Sequence, residues 1–199
     1  MVNAPVKFPA EISPSRGNTV WLTGLPGAGK STLANLLLEA LRKEGLTCCL
    51  LDGDQIRKGL SADLGFSAAD RHENVRRVAE VARIVNGMCA IAIVAMVSPA
   101  RVDRERARAI VGDAHFIEVF IDAPVEVCAR RDPKGMYLRA AAGQLPNFTG
   151  VSAPYERPER AELVIHTNEL TPVAALQQIM ATLRAHDPTR VGESRVLSH

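Results

Sequence analysis

Residues 24 to 31 read Gly-Leu-Pro-Gly-Ala-Gly-Lys-Ser, a complete G-x-x-x-x-G-K-[ST] run. Before it lies the β-rich stretch Asn18-Thr-Val-Trp-Leu-Thr23. After it comes a helical pattern to Glu44, with Leu33, Leu36, Leu37, Ala40 and Leu41 on one face and Gly45 as its stop. Strand, glycine loop and helix in that order constrain the fold strongly. The loop works only where backbone N–H groups converge at the end of a buried strand, facing the positive end of a helix. Gly24, Gly27 and Gly29 allow the tight winding, and Leu25, Pro26, Ala28 and Thr32 complete the expected cradle for a nucleotide triphosphate. Lys30 is expected to reach the β- and γ-phosphates, and the Ser31 hydroxyl to ligate Mg²⁺.

The rest of the chain continues the alternation. Strands are expected over 18–23, 47–51, 89–97, 116–121 and 162–166, and helices over 30–44, 70–86, 101–111, 124–130 and 172–185. The run Cys89-Ala-Ile-Ala-Ile-Val-Ala-Met-Val97 is apolar without alternation, which is the pattern of a strand covered on both faces. The fold class is therefore α/β: a three-layer P-loop fold with a mainly parallel five-stranded sheet and binding loops at the carboxyl ends of the strands. Residues 1–17 read as a flexible arm, 18–185 as the catalytic domain and 186–199 as a flexible tail. The stretch 132–160, rich in Pro and Gly, reads as an active-site lid.

Composition excludes several classes. A net charge of +2 with no basic block argues against a nucleic-acid partner. No apolar run is long enough to span a membrane, and the N-terminus lacks a signal-peptide core. Cys48, Cys49, Cys89 and Cys128 form no C-x-x-C pair and read as reduced core cysteines of a cytoplasmic protein. His72, His115, His166, His186 and His199 show no metal-ligand spacing, so Mg²⁺ with ATP is the only metal expected.

A glycine loop alone does not separate switch, motor and kinase. The third strand ends Met96-Val97-Ser98-Pro99, with no acidic residue where many P-loop ATPases carry one. The carboxylates follow the second strand instead, in Leu51-Asp52-Gly53-Asp54. Asp54 is placed to orient or deprotonate an acceptor hydroxyl, or to hold Mg²⁺ through water. Arg57, Phe66, Arg71 and Asn74 follow, with Arg76 and Arg77 nearby; such a set suits an anionic acceptor carrying a flat ring. Asp70 is expected to cap the next helix, with Glu73 completing a capping box.

From Asn18 to Thr167 the chain resembles the adenylylsulfate kinases. The resemblance rests on Gly-Leu-Pro-Gly-Ala-Gly-Lys-Ser-Thr, Leu-Asp-Gly-Asp-Gln-Ile-Arg-Lys-Gly-Leu, Asp-Leu-Gly-Phe-Ser-Ala-Ala-Asp-Arg-His-Glu-Asn-Val-Arg-Arg, Val-Ser-Pro-Ala-Arg, Phe-Ile-Glu-Val-Phe-Ile-Asp-Ala-Pro, Arg-Asp-Pro-Lys-Gly-Met-Tyr and Asn-Phe-Thr-Gly, in that order. It implies transfer of the ATP γ-phosphoryl group to the 3′-hydroxyl of adenosine 5′-phosphosulfate (APS), by a homodimer. It also implies acceptor contacts from Asp54, Arg57, Phe66, Arg71, Asn74, Val97, Ser98, Lys134, Asn147 and Phe148. Phe66 and Phe148 match a pair that sandwiches the acceptor adenine, and Arg131 matches a residue lying over the ATP adenine. Lys30, Asp54 and Ser98 are the candidate catalytic residues. The serine matching Ser98 is often described as a phosphoenzyme site, although no base accompanies it in sequence.

The chain departs from the family pattern at Pro26, commonly Ser, at Pro146-Asn147, commonly Lys-Gly, and at Ala100, commonly aromatic. Tyr137-Leu-Arg-Ala-Ala-Ala-Gly-Gln144 is poorer in Lys and Arg than its counterparts. Two alternatives stay open at this point: a P-loop kinase for another small anionic hydroxyl compound, or a nucleotide-binding module without turnover.

Overall fold

The structure, a computed structural model, describes residues 17–186. Its sheet has five parallel strands, β1 (Thr19–Thr23), β2 (Cys48–Asp52), β3 (Ile91–Ala95), β4 (Phe116–Asp122) and β5 (Leu163–His166), in the order β2-β3-β1-β4-β5. The α-helices among the described residues are α1 (Lys30–Lys43), α2 (Gly53–Ile56), α3 (Ala68–Gly87), α4 (Arg101–Val111), α5 (Val125–Arg131), α6 (Met136–Ala141) and α7 (Pro172–Ala185).

Strand alternation builds two cores. Val20 and Leu22 point to one face, where Ile93, Ile117 and Ile121 meet Leu33, Leu37 and Leu41 of α1 and Ile179 and Leu183 of α7. Trp21 points to the other, where Val94 and Phe116 meet Val75, Val78 and Ala82 of α3 and Ala107 and Val111 of α4. Leu37 and Leu41 are fully buried, so truncating either to Ala should cost about 2–5 kcal/mol. β1 is central, and its carboxyl end delivers residues 24–29 to the middle of the sheet edge.

The structure corrects four local expectations. Ser67, not Asp70, caps α3. The Asp70 N–H donates to Ser67 Oγ at 3.1 Å, and the Ser67 N–H donates to Asp70 Oδ2 at 3.2 Å. Asp70 is thus the acidic half of the capping box. Glu73 turns to Arg76 and Arg77 instead, which hold its carboxyl down to about 2. The second correction concerns the segment 132–160, which contains α6. The Asp132 carboxylate accepts the N–H groups of Met136, Tyr137 and Leu138, satisfying donors that would otherwise fray the helix start. Third, the short helix α2 forms between β2 and α3, outside the expected helix ranges, with Asp52 Oδ1 accepting the Asp54 N–H at 2.9 Å. Fourth, Cys89 is exposed with φ 57°, ahead of a shorter third strand, so it is not a core cysteine. Of the expected arm and tail, all but Gly17 and His186 lie outside the described residues. Among the described residues no helix is long and apolar enough to cross a membrane.

Candidate active site

The loop after β1 is wound as its glycines require. Gly24 has φ +146°, and a Cβ there would sit 2.3 Å from the Ile121 carbonyl oxygen of β4. Gly29, at φ 108°, stands immediately before α1 with no side-chain cap, so the first N–H groups of α1 are left for a ligand. The Lys30 ammonium donates to the carbonyls of Gly24 at 2.9 Å and Leu25 at 2.7 Å. Burial pulls its pKa down to about 8, with the Asp52 and Asp54 carboxylates opposing that shift.

Ser31 Oγ donates to Asp52 Oδ2 at 2.8 Å. This pairing gives Asp52 a place in the site that the sequence reading passed over in favour of Asp54. One carboxylate caps α2 with one oxygen and receives the loop serine with the other. The hydroxyl and carboxylate oxygens are hard donors of the kind Mg²⁺ takes, and among the described residues no cluster of three or more His, Cys, Asp or Glu gathers to hold a metal alone. The residues therefore fit a metal that arrives with phosphate oxygens.

A cleft of about 590 Å³ runs from this loop across the sheet edge. One end is lined by Pro26, Gly27, Gly29, Lys30, Ser31 and Thr32, and by Arg131. Arg131 donates to Thr167 Oγ1 at 3.0 Å and to the Thr167 carbonyl at 2.7 Å, while Thr167 Oγ1 donates to the Ala28 carbonyl at 2.8 Å. Thr167 thereby fixes Arg131 against the loop, a link that sequence spacing does not reveal. Gly24, Leu25 and Ala28 do not line the cleft; they shape it through their backbone.

The other end holds Asp54, Arg57, Phe66, Arg71, Asn74, Val97, Ser98, Lys134 and Phe148. Asp54, in the first turn of α2, is more than half exposed and paired with the Lys134 ammonium of the segment 132–160. Phe66 is 56% exposed, with the Arg57 guanidinium 4.5 Å and that of Arg71 5.7 Å from its ring centre. Arg71 also donates to the Asn147 carbonyl at 2.9 Å, which ties α3 to the segment 132–160. Asn147 contributes that carbonyl at φ 57° and stays outside the cleft lining. Asn74 is buried, and its Oδ1 has no partner among the described residues. Phe148 packs edge-on against Tyr137, with ring centres 5.1 Å apart, while the Tyr137 hydroxyl donates to the Pro26 carbonyl at 2.9 Å. Tyr137 thus joins the loop to Phe148 at the other end of the cleft. The bond uses the backbone of Pro26, so the exchange of serine for proline there leaves it intact.

Ser98 is buried at φ 37°. The Trp21 indole N–H donates to its Oγ at 3.1 Å, and the hydroxyl donates to Thr23 Oγ1 at 2.9 Å. With both roles of the hydroxyl engaged and no basic side chain bonded to it, the geometry gives Ser98 a positioning place and no activation as a nucleophile.

A family model described as adenylylsulphate kinase matches residues 16–166. The chain belongs to the adenylylsulphate kinase family. An adenylyl-sulfate kinase of Escherichia coli (strain K12 / DH10B) is 49% identical over 175 residues, covering 88% of this chain and 87% of that protein. The APS kinase of Mycobacterium tuberculosis, solved in complex with AMPPNP and APS, superposes with a TM-score of 0.83 at 43% identity, covering 86% of this chain and 99% of that one. A hexameric APS kinase from Thiobacillus denitrificans superposes with a TM-score of 0.65 at 36% identity, over 87% of this chain and 30% of that one. The family's five-stranded P-loop architecture is the one described above.

Proposed function

We propose that this protein transfers the γ-phosphoryl group of MgATP to the 3′-hydroxyl of APS, giving 3′-phosphoadenosine 5′-phosphosulfate. The observation that carries the reading is a single cleft joining a complete phosphate loop at one end to an Asp, Arg, Phe and Asn set at the other, in a chain of this family. Residues 18–185 form the catalytic domain, with 132–160 as its lid.

The residues divide the work. Phosphoryl transfer needs little covalent assistance and much positioning and charge neutralisation. Loop amides and the Lys30 ammonium take the triphosphate, Lys30 by leaving the Gly24 and Leu25 carbonyls it now bonds. Ser31 and Asp52 would hold Mg²⁺, which would supply charge neutralisation at the phosphate oxygens. Arg131 flanks the ATP base. Phe66 and Phe148 sandwich the acceptor adenine, Arg57 and Arg71 receive its phosphosulfate, and Asn74 offers its free Oδ1 as an acceptor atom. Asp54 accepts a hydrogen bond from the 3′-hydroxyl, aims it at the γ-phosphorus and receives its proton. Lys134 closes with the segment 132–160 over the phosphates and excludes water, which would otherwise compete as acceptor.

A homodimer in the cytoplasm is the assembly and location that accompany this reading; light scattering on the purified chain reports the former. The reaction is tested by following ADP release with MgATP and a panel of hydroxyl acceptors. APS should be the acceptor that supports turnover; ADP release with another acceptor and none with APS would overturn the assignment.

A further inference from the structure

Arg104 is 2% exposed, yet it carries a full charge into the third layer of the fold. A buried guanidinium persists only when its donors are met, and here each is directed at a specific oxygen. Nε donates to Glu118 Oε1 at 2.7 Å, Nη1 to the Ser98 carbonyl at 2.7 Å and the Pro99 carbonyl at 3.2 Å, and Nη2 to the Glu156 carbonyl at 2.6 Å. Glu118 is itself a carboxylate in the middle of buried strand β4.

A buried ion pair is weak evidence of added stability, since apolar residues of similar volume often serve as well or better. What it supplies is direction. The three carbonyls belong to two separate segments: the turn 97–99 after β3, and the return of the segment 132–160. The turn is strained, because Ser98 holds φ 37°, a conformation kept by a non-glycine residue only where its surroundings over-determine it. The same junction is pinned from other sides. The Glu156 N–H donates to the Pro99 carbonyl at 2.9 Å, the Arg101 N–H donates to Glu156 Oε2 at 2.6 Å, and the Tyr155 and Thr23 hydroxyls are 2.9 Å apart.

We propose that Arg104 is a positioning residue for phosphoryl transfer: its guanidinium locks the strained turn 97–99 to the lid return at Glu156, so the acceptor wall and the lid anchor are held as one unit. The proposal rests on the reading of Val97 and Ser98 as that wall. It acts through those residues, since Arg104 itself does not line the cleft.

Trp21 gives a direct readout, being the sole tryptophan and donating to Ser98. Arg104→Lys keeps the charge beside Glu118 but lacks the planar fork that reaches both segments. It should change Trp21 emission and raise the KM for APS about tenfold with the KM for ATP unmoved, the size expected for losing one hydrogen bond to a charged group. If the lysine variant folds poorly, the double variant Arg104→Met/Glu118→Leu removes the ion pair as a whole and should show the same split. A lowered melting temperature with unchanged emission and unchanged KM for APS would make Arg104 merely structural and overturn the proposal. Equal rises in both KM values would overturn it as well. Changed emission with an unchanged KM for APS would overturn it by a different route, refuting the acceptor reading of Val97 and Ser98 rather than the hold of Arg104 on the turn.

Discussion

Lys30 should make ATP binding take up a proton in mild alkali. Its ammonium is buried against two carbonyls, and desolvation lowers its pKa from 10.5 to about 8. The folded value lies below the unfolded one, so burial favours the neutral amine, and the nucleotide-free protein gains stability from this group as pH rises from 8 towards 10.5. A bound triphosphate reverses the preference, because only the ammonium neutralises it. Binding above about pH 8 must therefore reprotonate the lysine. At about pH 9 roughly one molecule in eleven carries the proton beforehand, so the apparent Kd for MgATP should be about tenfold weaker than near pH 7, or ~1.4 kcal/mol. Isothermal titration at about pH 8.5, in buffers of different ionisation enthalpy, should show uptake of about three-quarters of a proton. The γ-phosphate is already fully ionised there and adds nothing. Lys30→Arg stays charged throughout and should show no uptake. A flat Kd across this range with no proton uptake by the wild-type protein would refute the reasoning, since Lys30 would then be charged before ATP arrives.

Three further outcomes follow from the site. Asp54→Ala should bind ATP about as well as wild type, measured by titration, yet lose transfer to APS; wild-type turnover would remove Asp54 from its role. Phe66→Ala should leave the melting temperature nearly unchanged, because the ring is 56% exposed, while raising the KM for APS by the equivalent of about 1–3 kcal/mol, the usual worth of a base stacked on an aromatic ring. Ser98→Ala leaves the buried Trp21 N–H without its acceptor, so denaturant titration should show a loss of about 1–3 kcal/mol, with turnover persisting. Abolished turnover in that variant, with intact folding and an unchanged affinity for APS, would contradict the reading of Ser98 as a positioning residue.

Much of the fold was readable because its signals are local. The leucine stripe of α1, the apolar run of β3 and the glycines of the phosphate loop each declare themselves within a few residues. Ends and short helices were less legible. At α3 an acid followed by Glu73 imitates a capping box, whereas Ser67 and Asp70 already complete one. Helix α6 was hidden because the group that satisfies its first donors, Asp132, precedes it by four residues across a glycine. Phe148 is legible only through the family resemblance; its place depends on packing against Tyr137, which local patterning does not encode. Arg104 is illegible in sequence for a related reason. On an exposed helix its neighbours Arg101, Arg106 and Arg108 would read as a solvated face, and its partners lie as far away as Glu156. Thr167, which fixes Arg131, is similarly distant in sequence.

The central claim is that one cleft aims the acceptor hydroxyl, through Asp54, at the ATP γ-phosphorus. Its most direct test is to incubate the purified protein with APS and ATP labelled at the γ-phosphate in the presence of Mg²⁺, then locate the label by phosphorus NMR. The account predicts label on the 3′-oxygen of the nucleotide with wild-type protein, and none with Asp54→Ala at saturating ATP. Label released only as inorganic phosphate, attached at another position, or transferred equally by the variant would contradict it.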